Sequence, residues 1–412
     1  MHDLWKSRQS LTWAGYDVAS SVYIGVAPAV LLPIYFQHLL AGFKDPTAAW
    51  GGLAALAVLV SSVLALAAAA ATERISRFTL LTCLTAAMVA AIAALAWNPG
   101  SSILHAAVAY VAAQSFYFAA TAIYESYLPD LLPPDDRQRL SGFGWAVGYL
   151  GGLFVIIVLL VLIAAQPSSP QLIEQCLGVV ALISAVFFTI VLSLMWRAGF
   201  ARIGGSSAPR MGGVFGALRH WRANPAVFRL LLGSMLVQMA IFIVVTFTAP
   251  ILATRFGQSL QDLLWLLLLI HVLSVPTTLA WSHLMIARRR LVPMSILLAS
   301  WAVVLLLLAY GSGPWMPLVT VTVIGCCLGA TASAIRGFLA ESVGAENPAA
   351  LFALSTVAGR LAAAFGPALF SVVALAAGQR AALMIALVVL ACGSALIMLF
   401  LQGQPAVQGR AA

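Results

Sequence analysis

Lysine occurs only twice in this chain, at Lys6 and Lys44, and neither follows a glycine. A G-x-x-x-x-G-K-[ST] loop, whose backbone amides and lysine cradle nucleotide phosphates, is therefore missing. Any pumping must draw on a gradient, or on a partner that handles the nucleotide. Charge of either sign is scarce: Asp, Glu, Lys and Arg make up 8% of the chain, against about a quarter in soluble domains. No H-E-x-x-H and no G-x-S-x-G occurs, and carboxylates do not cluster outside the polar loops. This argues against a membrane protease or acyltransferase. The chain is expected not to be an enzyme and to need no cofactor. Cysteine is limited to Cys83, Cys176, Cys326, Cys327 and Cys392, in or beside apolar runs and without C-x-x-C spacing. Free thiols are expected rather than a disulfide framework.

What is there is apolar. Of 412 residues, 63% are hydrophobic, and the mean hydropathy is +1.03. A helix needs about 20 apolar residues to cross the hydrocarbon. Twelve runs meet that length, near 12–38, 49–71, 78–97, 103–128, 141–165, 175–196, 226–250, 262–286, 291–310, 315–340, 350–376 and 381–401. The predicted fold is an all-α polytopic membrane protein. The first run is too long for a signal-peptide core and is expected to be a retained helix. The net charge of +9 is a topology signal rather than a nucleic-acid footprint. With a cytoplasmic N-terminus, nearly all the arginines fall on one side, and only Lys44, Arg255 and Arg380 on the other. The positive-inside rule then places both termini in the cytoplasm, in a bacterial inner membrane. Membrane lipid is one expected partner, a small solute another, nucleic acid is not, and a monomer is expected.

The longest polar interruption, at 197–224, is rich in Gly and Arg and divides the chain into six spans plus six. The expected domains are a bundle over 1–196, a cytoplasmic linker over 197–224 and a bundle over 225–412. Within the linker, "VFGALRHWR" reads as a short amphipathic surface helix. The halves repeat at an offset of 211 residues. Glu125 falls on Arg336, Tyr127 on Phe338 and Asp130 on Glu341; Gly144, Gly148 and Gly152 fall on Ser355, Gly359 and Ala363. Each small-residue triplet makes one ridge of a helix, on which membrane helices approach closely. Six spans per half in the same orientation is the parallel-repeat pattern of large secondary transporters.

Ionisable groups at membrane depth cost on the order of 2.5–3.5 kcal/mol on insertion scales and normally face the bundle or a wet cavity. Asp17 near the start of the first span, Glu125 about one and a half turns inside the end of the fourth, and Arg336 and Arg360 in the tenth and eleventh form a candidate coupling and gating set. The alternative for Glu125 is a structural salt bridge, and for Asp17 a carboxylate favoured by its helix N-terminus. His271 in the eighth span reads as a packed neutral side chain or a ligand. In the 2–3 loop, Glu73, Arg74 and Arg77 either set topology or join Asp130 and Arg139 as a loop gate.

An apolar cavity with a few placed polar groups is what a small-molecule site requires. Tyr16, Tyr23, Gln114, Tyr117, Thr121 and Tyr124 on the first and fourth spans, with Gln238 and Thr246 on the seventh, are the candidates. Met235 and Met239, at i and i+4 on the seventh span, are soft ligands that with His271 suit copper; the other reading is that they fill the bundle interior.

"ATERISRF" (71–78) resembles the 2–3 loop signature of the major facilitator superfamily, with Glu73 and Ser76 at its usual Asp and Gly positions. Three further stretches are similar to the vacuolar amino-acid effluxer (autophagy-related) family and its bacterial relatives. They are "WAGYDVASSVY" (13–23), "YESYLPDLLPPDDRQRLSGFGWAVGYLGG" (124–152) and the segment at 329–367 holding Arg336, Phe338, Gly359, Arg360, Gly366 and Pro367. Val18 and Ser20 depart from the pattern in the first. The resemblance implies a twelve-helix facilitator with rocker-switch alternating access and a cavity lined mainly by helices 1, 4, 7 and 10. It implies a secondary transporter of a small solute, such as an amino acid or similar metabolite, coupled to an ion such as a proton. A bacterial branch imports copper through a Met-xxx-Met and a His-xxx-Met; here Val275 follows His271 at i+4, leaving that set incomplete. The rival of another class is a non-transporting receptor or assembly factor.

Overall fold

The computed structural model describes residues 7–403 apart from 73, 99, 101, 132–133, 165, 167–168, 204–224, 287–289 and 342–347. Among these residues twelve helices are long and apolar enough to cross a membrane. They are α1 Arg8–Leu39, α2 Pro46–Ala71, α3 Arg77–Ala96, α4 Ile103–Glu125, α5 Pro134–Ile163 and α6 Pro170–Arg197. The second six are α7 Pro225–Phe256, α8 Leu260–Ile286, α9 Leu291–Tyr310, α10 Met316–Glu341, α11 Pro348–Ala377 and α12 Gln379–Gln402. The all-α, twelve-span expectation is met, and the sequence of the surface helix sought at 214–222 lies outside the described residues.

Helix ends follow local chemistry. Ser7, Asp45, Ser76, Ser102 and Ser169 cap α1, α2, α3, α4 and α6, each side-chain oxygen accepting from a first-turn amide. Gly378, at φ 88°, joins α11 to α12 in one residue, a left-handed turn that a side chain would strain. Hydropathy locates the spans but not these ends. The fifth helix begins at Pro134 rather than 141, and the seventh runs on to Phe256 rather than 250. The backbone of Asp135, Asp136, Arg137 and Arg139 is therefore helical, not the loop that the polar run suggested, because hydrogen-bonded turns continue beyond the hydrocarbon. The helix α1 is interrupted midway by a π-helical turn, Ala27–Leu31, in which the Leu32 amide donates to the Ala27 carbonyl. Pro28 and Pro33, lacking N–H groups, remove two rungs of the ordinary ladder around it.

The chain divides into two compact units, Met1–Ala208 with Ala249–Leu268, and Pro209–Thr248 with Leu269–Ala412. In the first, α1 packs on α5 and α6, α4 on α2 and α3, α3 on α6, and α5 on α6. In the second, α9 packs on α10 and α12, and α11 on α12. There α7 meets α11 through stacked Phe247 and Phe370, 3.7 Å between centroids, and α8 meets α10 where Gly325 faces Ile270. Shifted by six helices, these are the partnerships of the first unit. The small-residue ridge has the same use in both: Gly148 faces Asp17 and Ser21 on α1, and Gly359, its counterpart 211 positions on, faces Gln238 on α7. A Cβ at Gly151 would run into the Val18 carbonyl, so α5 also meets α1 at a glycine outside the expected triplet. Large apolar side chains cover the outside, such as Val161 at 75% and Leu104 at 74% exposure, as lipid contact requires.

Candidate functional site

Helical spacing puts Trp13, Tyr16, Asp17 and Ser20 on adjoining faces of α1. Tyr124 of α4 inserts among them, stacked between Trp13 and Tyr16 with centroid distances of 4.6 and 4.5 Å. Two polar links hold the sandwich. The Trp13 indole N–H donates to the Tyr124 carbonyl at 3.2 Å, and the Tyr124 hydroxyl lies 3.0 Å from the Trp13 carbonyl. The same hydroxyl lies 2.9 Å from Oδ2 of Asp17. One O–H therefore serves two acceptors. Opposite, α5 brings Gly144, where a Cβ would collide with the Asp17 carboxylate. Close approach of a helix backbone to a half-buried acid is what this glycine permits. Among the described residues no cation lies within ion-pair distance of Asp17, and the charge acting on it through space is that of Glu125.

Two groups of residues expected to line a cavity separate here. Tyr16 is buried and shares a 2.9 Å hydrogen bond with Thr85 of α3, its ring tilted on Phe188 of α6. Tyr23 is buried and donates to Oε1 of Gln114, itself buried, at 3.0 Å. Tyr16, Tyr23, Gln114 and Tyr124 thus fasten α1 and α4 inside the first unit. Tyr117 and Thr121 are half-buried, with Tyr117 beside Tyr23 at 5.8 Å. Glu125 is the last residue of α4 and is exposed, not one and a half turns inside the helix, because α4 stops there and the next helical turn starts only at Leu128.

At the end of the unit that holds Glu125, the loop residues form a clasp. Arg77, at the start of α3, donates to Oδ2 of Asp130 at 2.6 Å, with side chains 6% and 19% exposed. It also donates to the Ser126 carbonyl at 2.8 Å and the Ile203 carbonyl at 3.4 Å. Its guanidinium sits 4.4 Å over the Tyr127 ring, and Tyr127 meets Phe200 edge-on at 5.1 Å. One arginine thus ties together the start of α3, the 4–5 connection and the chain after α6. Burial pushes the Tyr127 phenol up to about 12, against the opposing pull of the Arg77 charge, so the ring stays neutral under the cation. Arg74 is exposed. Glu73 and the side chain of Arg139 lie outside the described residues.

In the second unit, Gln238 and Thr246 of α7 are half-buried, as is Arg360 of α11, one residue past the glycine that faces Gln238. Arg336 is placed on α10 by its backbone, and its side chain is outside the described residues. Met235 is half-buried, and Met239 and His271 are buried at 8% and 7% exposure. The Met239 carbonyl is pressed against Gly366, where a Cβ would stand 2.6 Å away. Sequence reasoning missed Trp13, Gly151, Ser126 and the carbonyl partners of Arg77. It also missed a chain at the opposite end of the first unit. There the Asn98 amide donates to the Tyr35 hydroxyl, and that hydroxyl to Glu174, both at 2.7 Å. The lone acid in "QLIEQ" was the available signal for it.

The model of the Major Facilitator Superfamily matches residues 13–367. The structure is similar to that of a bacterial homolog to the human lysosomal transporter Spinster, at 15% identity and TM-score 0.68, over 96% of each chain. It is similar to the nucleoside transporter NupG at 14% identity and TM-score 0.72, over 96% of this chain and 99% of that one. It is also similar to a D-xylose-proton symporter at 16% identity and TM-score 0.66, over 98% of each. At such identities the likeness carries the fold alone. No curated protein sequence gives a significant match.

Proposed function

The chain belongs to the major facilitator superfamily, and from that premise we propose that it is a secondary transporter of a small solute, worked by alternating access and coupled to protons through Asp17. The observation that carries this reading is the Asp17–Tyr124–Trp13 chain. The Tyr124 hydroxyl has one hydrogen and two acceptors, Asp17 and the Trp13 carbonyl. A proton on Asp17 lets the acid donate to the Tyr124 oxygen and Tyr124 donate to the Trp13 carbonyl, so both short contacts become hydrogen bonds. Without that proton the single Tyr124 hydrogen serves only one of the two acceptors, which is costly where Tyr124 and Trp13 are buried. The half-buried Tyr117 and Thr121 of the first unit, and Gln238 and Thr246 of the second, are the residues we assign to the solute; within the first unit the buried Tyr23, bonded to Gln114, packs beside Tyr117, and Tyr16 is fixed to Thr85. Arg77 and Asp130 act as the loop clasp, and Arg336 and Arg360 remain the proposed basic partners of the gate. Bundles over 1–196 and 225–412 and a bacterial inner-membrane location, with both termini cytoplasmic, complete the proposal.

An amino acid or similar metabolite is the proposed solute class, on the resemblance of residues 13–23, 124–152 and 329–367 to the amino-acid effluxers. A thermal-shift panel of amino acids, nucleosides and pentoses on the purified protein selects the ligand. Flux of that ligand in proteoliposomes under an imposed pH gradient is the test. The wild type accumulates it, and Asp17→Asn loses gradient-driven accumulation while ligand exchange continues. Unimpaired accumulation by Asp17→Asn removes the coupling role. No flux of any ligand that shifts the melting temperature favours the receptor reading.

A further inference from the structure

We propose that the groove between α3 and α4 on the outside of the first unit is a binding site for one acyl chain of a membrane phospholipid. The groove has a volume of ≈ 500 Å³ and its floor is made by Ala91 and Ala94 of α3 and Ala109 and Ala112 of α4. The four alanine side chains are small enough to leave this space open. Its walls face outward: Leu104 is 74% exposed and Val108 60% exposed, and in a helix that crosses a bilayer such side chains meet lipid tails. The groove is polar at one end only, where Ser102 and His105 line it. His105 Nε2 donates to the Ala94 carbonyl at 2.8 Å, which leaves Nδ1 without a partner among the described residues.

That polar end lies at the α3–α4 turn, and Trp97 stands in the same turn with 72% of its surface exposed. Exposed tryptophan at a helix end marks the headgroup level. An occupant with one polar end at the turn and an apolar tail running along α3 and α4 is a phospholipid of that leaflet. A tail already dissolved in lipid gains no hydrophobic energy on entering the groove. Selectivity rests on the close van der Waals fit that small residues allow. Ala94 and Ala112 are only half-buried, so leucine at either position projects into the groove rather than into the bundle. The inference is independent of the transport reading.

The test is native mass spectrometry of the detergent-purified protein titrated with palmitoyl-oleoyl phosphatidylethanolamine. Wild type and the control Val161→Leu, a lipid-facing change on α5, are expected to retain a phospholipid adduct at collision energies that strip it from Ala94→Leu/Ala112→Leu. Circular dichroism and gel filtration check that the double variant is folded; should it not fold, Ala112→Leu alone takes its place. Equal retention by wild type and the filled variant, or no retained phospholipid on the wild type, overturns the proposal.

Discussion

Tyr124 illustrates how much one side chain decides in a protein with so few polar groups. It stacks on two aromatic rings and shares its hydroxyl between Asp17 and a backbone carbonyl. Tyr124→Phe keeps the stack and removes the hydroxyl, so a modest loss of about 1 kcal/mol is expected, read as a lower melting temperature in detergent. If Tyr124 orders the Asp17 proton, the same variant also moves the pH midpoint of transport; an unmoved midpoint leaves it a packing residue. Arg77 carries a heavier load, because it satisfies a carboxylate, two carbonyls and a ring at once. Arg77→Ala strands the Asp130 carboxylate and should cost about 2 kcal/mol. Adding Asp130→Ala should recover part of that loss, as a double-mutant cycle measures. Additive losses would show that the two side chains act separately. The sequence marked Arg77 and Asp130 as gate candidates, but burial separates Arg77 from its neighbour Arg74, and periodicity in a short loop has no means of telling them apart.

Among elements, the α1–α5 contact is where small residues are indispensable. Gly144 clears the Asp17 carboxylate and Gly151 clears the Val18 carbonyl. Gly151→Ala must push two backbones apart and is expected to lower folded yield sharply, since a backbone carbonyl has no rotamer by which to give way. Gly52 in α2 meets nothing within 4 Å, so Gly52→Ala should be neutral, or stabilise by up to about 1 kcal/mol through helix propensity. Fluorescence size-exclusion profiles of the two variants compare these directly; similar profiles would mean the α1–α5 approach is looser than it looks. The ridge of small residues was legible from spacing alone, and so was its echo 211 residues on. The contact at Gly151 was not, since that residue lies about 100° from Gly152 on the helix and only the position of α1 shows that it too is approached. The π turn in α1 was not read from the sequence either, though Pro28 and Pro33 announce a disturbed ladder.

For the whole molecule, hydrophobicity and arginine placement go a long way. The positive-inside bias predicts that a green fluorescent protein fused after Ala412 is fluorescent in a bacterial host, and that a periplasm-dependent reporter there is inactive; the reverse result would invert the topology. The soft-metal alternative has its own test: Met235→Leu with Met239→Leu should leave cellular copper unchanged, while a loss of copper accumulation would revive it. Twelve spans, a repeat between the halves and the lack of a G-x-x-x-x-G-K-[ST] loop are read from the sequence itself. A membrane allows few ways to satisfy a backbone, so a long apolar run is a helix whatever surrounds it. Side-chain roles are another matter. Tyr16, Tyr23 and Tyr117 look equivalent as letters on apolar helices. Only packing makes the first two internal fasteners and leaves the third half-buried, and only the end of α4 exposes Glu125 while Asp17 is half-buried against Tyr124 and Gly144. Those distinctions depend on which helix lies against which face, and that is a property of the folded bundle.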